Sequence, residues 1–136
     1  MKKAVISIDV EDWYHLEYFK DNLNDKSQSI LEEGTNEFLN IISKDNIKAT
    51  FFIVGELISS KLELLKKIIN QDHEISGHSF NHVRPLTQSV EEFKLDSTKL
   101  LVELKENLNI INPGYRAPCF SLDDERLNII KELNYS

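Results

Sequence analysis

Along this chain, apolar runs that read as strands alternate with amphipathic runs that read as helices, and that order leaves few folds open. KAVISID (3–9) is a continuous apolar strand, and ATFFIVG (49–55) is a second, punctuated by Gly55. HEIS (73–76) is a short third strand, and NPGYRAP (112–118) holds a turn with room for a fourth. Between them, ILEEGTNEFLNIISKDN (30–46) brings Phe38, Ile41 and Ile42 to helical spacing. ELISSKLELLKKIINQ (56–71) repeats apolar residues at 58, 62, 65 and 69. SVEEFKLDSTKLLVELKENL (89–108) opens with Ser89 and Glu92 at capping-box spacing, and Phe93, Leu100, Leu104 and Leu108 mark its buried face. Ser121 is expected to cap a last helix over 122–133. Strands apolar on both faces, alternating with helices, predict parallel βα units in an α/β fold.

With 136 residues the chain suffices for one domain with a buried core. A closed (β/α) barrel typically takes ~250 residues. About four strands are visible, so the expectation is either a fragment or a chain that self-associates through open sheet edges. A formal net charge of -7, with no Lys/Arg cluster to offset it, argues against nucleic acid as a partner. Cys119 is the only cysteine, which excludes an internal disulfide and a cysteine-based zinc site. The two N-terminal lysines precede an apolar run, but Asp9 ends it before it could form a signal peptide's core. No apolar stretch reaches membrane-spanning length, so a cytoplasmic protein with no membrane span is expected.

Chemistry-bearing residues collect where strands end, the usual position of active groups in α/β folds. DVED follows the first strand, HSFNH the third, and RAP the fourth. His78 and His82, four residues apart, could share one face of a helical turn and ligate a divalent ion; the competing reading is a hydrogen-bonded polar loop. His73 reads as a packing or capping residue at the strand entrance, and His15 as a residue of a substrate loop. Asp9 ends a buried strand and needs a partner there. Strand alternation puts Glu11 on the same side as Asp9 and Asp12 on the other, unless the strand stops at Val10. Arg116, in a turn stiffened by Pro118, is the natural partner for Asp9. Two imidazoles, a carboxylate, a second carboxylate as base and a backbone N–H for an oxyanion make a metal-dependent amide or ester hydrolase.

In that order, SIDVEDWYH (7–15), ATFFIVGEL (49–57), HEISGHSFNH (73–82), FKLDSTKLL (93–101) and GYRAPCFSL (114–122) resemble the polysaccharide deacetylase superfamily, the NodB-homology domain of carbohydrate esterase family 4. The likeness is to the branch whose first motif reads DVEDW, and it spans nearly the whole chain. The resemblance implies a distorted barrel of NodB type, of which residues 1–136 would be the N-terminal portion. It implies Asp9 as catalytic base, with Arg116 orienting it. His78 and His82 would be metal ligands, with either Glu11 or Asp12 as the third. The backbone amide of Cys119, after Pro118, would face the oxyanion. The cofactor would be a divalent metal, Zn²⁺ by ligand type, and the substrate an N-acetylated polysaccharide or oligosaccharide. Trp13, Tyr14 and Pro118 would meet sugar rings. The family's later motifs, an acid-and-tryptophan segment and a leucine-x-histidine, have no match within 1–136. A catalytically dead metal- or glycan-binding module and an allantoinase-like amidohydrolase are the alternatives.

Overall fold

The computed structural model describes residues 4–22 and 29–136. Three strands, β1 (Ile6–Val10), β2 (Ala49–Ile53) and β3 (Glu74–Gly77), form one parallel sheet in the order β1-β2-β3. The register pairs Ile8 with Phe51 and Asp9 with Phe52, then Phe51 with Ile75 and Phe52 with Ser76. The helices are α1 (Leu31–Ser43), α2 (Leu62–Asn70), α3 (Val90–Leu108) and α4 (Asp124–Glu132). This is the expected parallel βα arrangement. Lys3, the first residue of the expected strand, lies outside the described residues.

Burial of the sheet is one-sided, where the apolar runs predict burial on both faces. Ile6, Ile8, Val10, Ala49, Phe51, Ile53 and Ile75 share one face and join a core with Leu39, Leu65, Ile68, Phe93, Leu100 and Leu104 from the helices. Phe51 and Ile53 are completely buried. The opposite face carries Ser7, Asp9, Thr50, Phe52 and Ser76, of which only Ser76 is buried. Polar residues on that face make it the sheet's less buried, chemistry-bearing side.

The fourth strand contracts to a single parallel bridge, Gly77 with Tyr115. There Gly77 N–H donates to Gly114 C=O (2.8 Å) and Arg116 N–H to Gly77 C=O (2.9 Å). Pro113 lacks an N–H, Asn112 is left-handed (φ 56°), and Pro118 starts a 3-10 turn, so pairing cannot extend either way.

Three element details differ from expectation. The 56–71 segment is split: Gly55–Leu57 is a 3-10 turn and α2 begins only at Leu62. The buried stripe of α1 is Leu31, Thr35, Leu39 and Ile42, and Ile41 points to solvent. Asp123, not Ser121, caps α4, accepting from Arg126 N–H; Ser121 instead closes the 3-10 turn Pro118–Phe120. The Ser89/Glu92 capping box on α3 is present in both directions.

Candidate functional site

Asp9 sits one residue before the carboxyl end of β1, on the polar face. Arg116 Nη1 donates to Asp9 Oδ1 and Nη2 donates to Ser7 Oγ, each at 2.5 Å. The guanidinium lies 3.9 Å from the centroid of the Phe52 ring. Two oxygens and a ring face hold that planar group in one orientation. Asp9 Oδ2 is turned the other way, 3.8 Å from His78 Nε2.

His78 and His82 do meet, but not on a helix. Ser79 and His82 are left-handed (φ 62° and 53°), so the segment turns back on itself after β3. The loop is anchored from three sides. His78 N–H donates to Ile53 C=O (2.9 Å), while Gly55 and Glu56 N–H donate to Ser79 and Phe80 C=O (3.0 and 2.9 Å). From α3, Asp96 accepts from Phe80 N–H at 2.8 Å and Asn81 N–H at 3.3 Å. The result is two buried imidazoles with centroids 5.0 Å apart.

Hydrogen bonding sets how each ring presents its nitrogens. His78 Nδ1 lies 2.8 Å from Arg116 C=O, and His82 Nδ1 lies 3.0 Å from His15 C=O. A carbonyl only accepts, so both Nδ1 atoms carry hydrogen and both rings turn Nε2 inward, as a lone pair when the ring is in its neutral form. Burial pushes the His78 imidazole below the usual histidine value, against the raising influence of Asp9, which favours that neutral form.

Glu11, rather than Asp12, completes the group. The strand ends at Val10, so strand alternation does not extend to either acid. Asp12 is instead committed to the 3-10 turn Trp13–His15: its Oδ1 accepts from Trp13 N–H (2.9 Å), and its own N–H donates to His15 Nδ1 (2.7 Å). Glu11 Oε2 lies 2.5 Å from His82 Nε2 and 3.8 Å from His78 Nε2. Burial raises the Glu11 carboxyl, but the contact with His82 and the charges of His82, His78 and His15 hold it below its usual value.

These residues fit a divalent ion. Glu11 Oε2 is buried, and both histidine Nε2 atoms face it while their Nδ1 atoms are committed to backbone carbonyls. One ligand atom from each of Glu11, His78 and His82 falls within 4.8 Å of the others. Two ligands on a tetrahedral zinc are roughly 3.3 Å apart, between the distances of 2.5 and 3.8 Å found here.

The other expected residues are more scattered in role. Trp13 lines a cleft of about 500 Å³ with Glu11, Asp12, Phe19, Ile30 and Leu31. Tyr14 packs its ring on His15, 4.4 Å between centroids. Pro118 is buried and opens the 3-10 turn, and Cys119 is exposed and left-handed (φ 54°). Phe120 and Ser121 N–H make that turn's backbone bonds, leaving the Cys119 amide outside them. His73 is buried and accepts from Ala49 N–H (3.3 Å), a packing role. His15 is buried too, donating to Glu56 Oε1 at 2.8 Å. Glu56 and Asp96 escaped the sequence reading. The available signal for Asp96 was an acid one helical turn from Phe93 and Leu100, beside the buried stripe of α3.

A parallel βα sheet thus brings two imidazoles, a carboxylate and an arginine-held aspartate to one rim, a group that could hold a divalent ion. A family model described as polysaccharide deacetylase matches residues 11–136, and the chain belongs to that family. It is 29% identical over 117 residues to the peptidoglycan deacetylase of Helicobacter pylori, covering 84% of this chain and 38% of that protein. With the peptidoglycan-N-acetylglucosamine deacetylase of Bacillus cereus it shares 31% identity over 88 residues, 65% of this chain and 30% of that one. The solved structure of a CE4 family pseudoenzyme from Bacillus anthracis has a TM-score of 0.78 at 23% identity, covering 97% of this chain and 41% of that chain. This chain thus spans less than half the length of these relatives.

Proposed function

We propose that this chain carries the metal-binding and proton-accepting part of a hydrolase that removes N-acetyl groups from an amino-sugar polysaccharide. The supporting observation is the convergence of the His78 and His82 Nε2 atoms on the buried Glu11 Oε2, with Asp9 Oδ2 3.8 Å from His78. Glu11, His78 and His82 would hold the ion, and two imidazoles with one carboxylate suit zinc or another first-row divalent metal. Such an ion supplies Lewis acidity toward an acyl oxygen and toward water.

The chain's own groups supply the rest. Arg116 occupies Asp9 Oδ1, so Oδ2 is the oxygen left facing the cluster, where it accepts a proton from the attacking water. Hydrolysis cleaves the acyl carbon–nitrogen bond, releasing acetate and leaving the sugar amine. The Cys119 N–H, outside its own turn's bonding, is the donor offered to the developing oxyanion. Trp13 and Tyr14 supply aromatic surface for sugar rings, while Pro118, expected to join them, is buried and instead holds the turn that carries the Cys119 amide. Relatives named for peptidoglycan deacetylation make an N-acetylglucosamine polymer the first substrate to try.

The test is acetate release from N-acetylated peptidoglycan or chito-oligosaccharide by the zinc-loaded protein. The reading predicts release that chelation stops and that Asp9→Asn abolishes. Binding of sugar without any acetate would reassign the chain as a metal- or glycan-binding module.

A further inference from the structure

His15 and Glu56 lie outside the ligand set, yet the structure connects them to it through hydrogen bonds. His15 is buried, so both its ring nitrogens need partners. Its Nδ1 takes the Asp12 N–H at 2.7 Å and therefore carries no hydrogen. Its Nε2 must then be the protonated nitrogen, and it donates to Glu56 Oε1 at 2.8 Å. These two bonds fix the ring at both ends. The same ring closes the 3-10 turn Trp13–His15 through a reciprocal cap with Asp12. That turn places the His15 carbonyl 3.0 Å from His82 Nδ1.

Glu56 has a second hold on the same loop. Its backbone N–H donates to Phe80 C=O at 2.9 Å, beside the Gly55 N–H bond to Ser79 C=O at 3.0 Å. The residue thus grips the His78–His82 loop by its main chain and the turn beneath His82 by its side chain. Its side chain is 37% exposed, more than a core packing residue would be. A carboxylate placed there is well suited to accept one N–H and poorly suited to fill a cavity.

We infer that Glu56 and His15 are positioning residues that fix the orientation of the His82 ring, by holding the carbonyl to which His82 Nδ1–H donates. The inference deepens the proposed metal site and rests on that reading only for its consequence in metal affinity. Partners of this kind usually change metal affinity by about 10–100-fold when removed.

The test uses two readouts, one independent of metal. In metal-free protein, the His82 Nδ1–H proton is followed by NMR as a hydrogen-bonded ring N–H with slow solvent exchange. Glu56→Ala is expected to speed its exchange at least tenfold, while Glu56→Gln, whose amide oxygen still accepts from His15, keeps it near the wild-type rate. Backbone amides of Phe51 and Ile53 report whether the core stays intact. The second readout is Zn²⁺ affinity, expected to fall about tenfold or more in Glu56→Ala and to recover in Glu56→Gln. Unchanged exchange in Glu56→Ala overturns the inference. So does equal acceleration in both variants, or acceleration shared by the core amides. If His78→Ala leaves Zn²⁺ affinity unaltered while the exchange result holds, the metal reading fails and the positioning role stands.

Discussion

Glu11 and Asp12 show how far single residues could be read in advance. Both acids follow a strand, and alternation alone favours Glu11, yet the strand stops before reaching either. The choice is made by the next three residues, which form a 3-10 turn and take Asp12 as their cap. A cap this short leaves almost no signature in a sequence. The histidine pair tells a similar story: its spacing matched a helical face, but two left-handed residues bring the rings together instead. Arg116 and Asp9 were legible because an acid ending an apolar strand calls for a partner and the proline-stiffened turn at Arg116 offered one. Asp96 was not, because its work is done on backbone N–H groups 15 and 16 residues away. Asp96→Ala removes both acceptors and leaves the Phe80 N–H, on a buried residue, without one. Destabilisation of about 1–3 kcal/mol is expected, read from urea denaturation. Asp96→Asn, which keeps one acceptor oxygen, should lose less.

At the scale of elements, the parallel strands and all four helices follow from apolar patterning, and the capping box of α3 sits where Ser89 and Glu92 put it. The misplacements occur where tertiary bonds compete with helical ones. The N–H groups of Gly55 and Glu56 serve the histidine loop, and the chain makes a 3-10 turn there before α2 begins at Leu62. An added Cβ at Gly55 would lie 2.9 Å from Phe80 Cα, showing how tightly the end of β2 abuts that loop. The chain's last residues are tied to α3 by Tyr135, whose hydroxyl donates to Ser97 C=O at 2.7 Å. Burial pushes the Tyr135 hydroxyl well above the usual tyrosine value, with the charges of Tyr115 and Asp96 adding to it. Burial likewise raises Tyr115. A group whose pKa is higher in the folded state contributes stability that is complete below its unfolded value, about 10 for tyrosine, and is lost as pH rises past it. Stability should therefore fall above about pH 10, by up to about 1.4 kcal/mol per pH unit for each such tyrosine. Tyr135→Phe should make that decline shallower in denaturation curves taken across the alkaline range, while costing about 1 kcal/mol at neutral pH for the lost bond.

Taken whole, the molecule is a two-sided parallel sheet: helices cover one face, and the other gathers Ser7, Asp9, Phe52 and Arg116 beside the histidine loop. The fold class and family were legible because strand order and motif order are both linear in the sequence. The one-sided burial was not, since apolar Phe52 and polar Ser7 share the uncovered face, and composition alone does not say which face is covered. Among the described residues no helix is long and apolar enough to cross a membrane. The account's central claim is that Glu11, His78 and His82 form one divalent-ion site next to, but separate from, Asp9. Zn²⁺ titration by calorimetry of the wild type, His78→Ala, His82→Ala and Asp9→Asn tests it most directly. The account predicts one site per chain, lost or weakened by orders of magnitude in both histidine variants and retained in Asp9→Asn. Equal zinc affinity in all four proteins would contradict it.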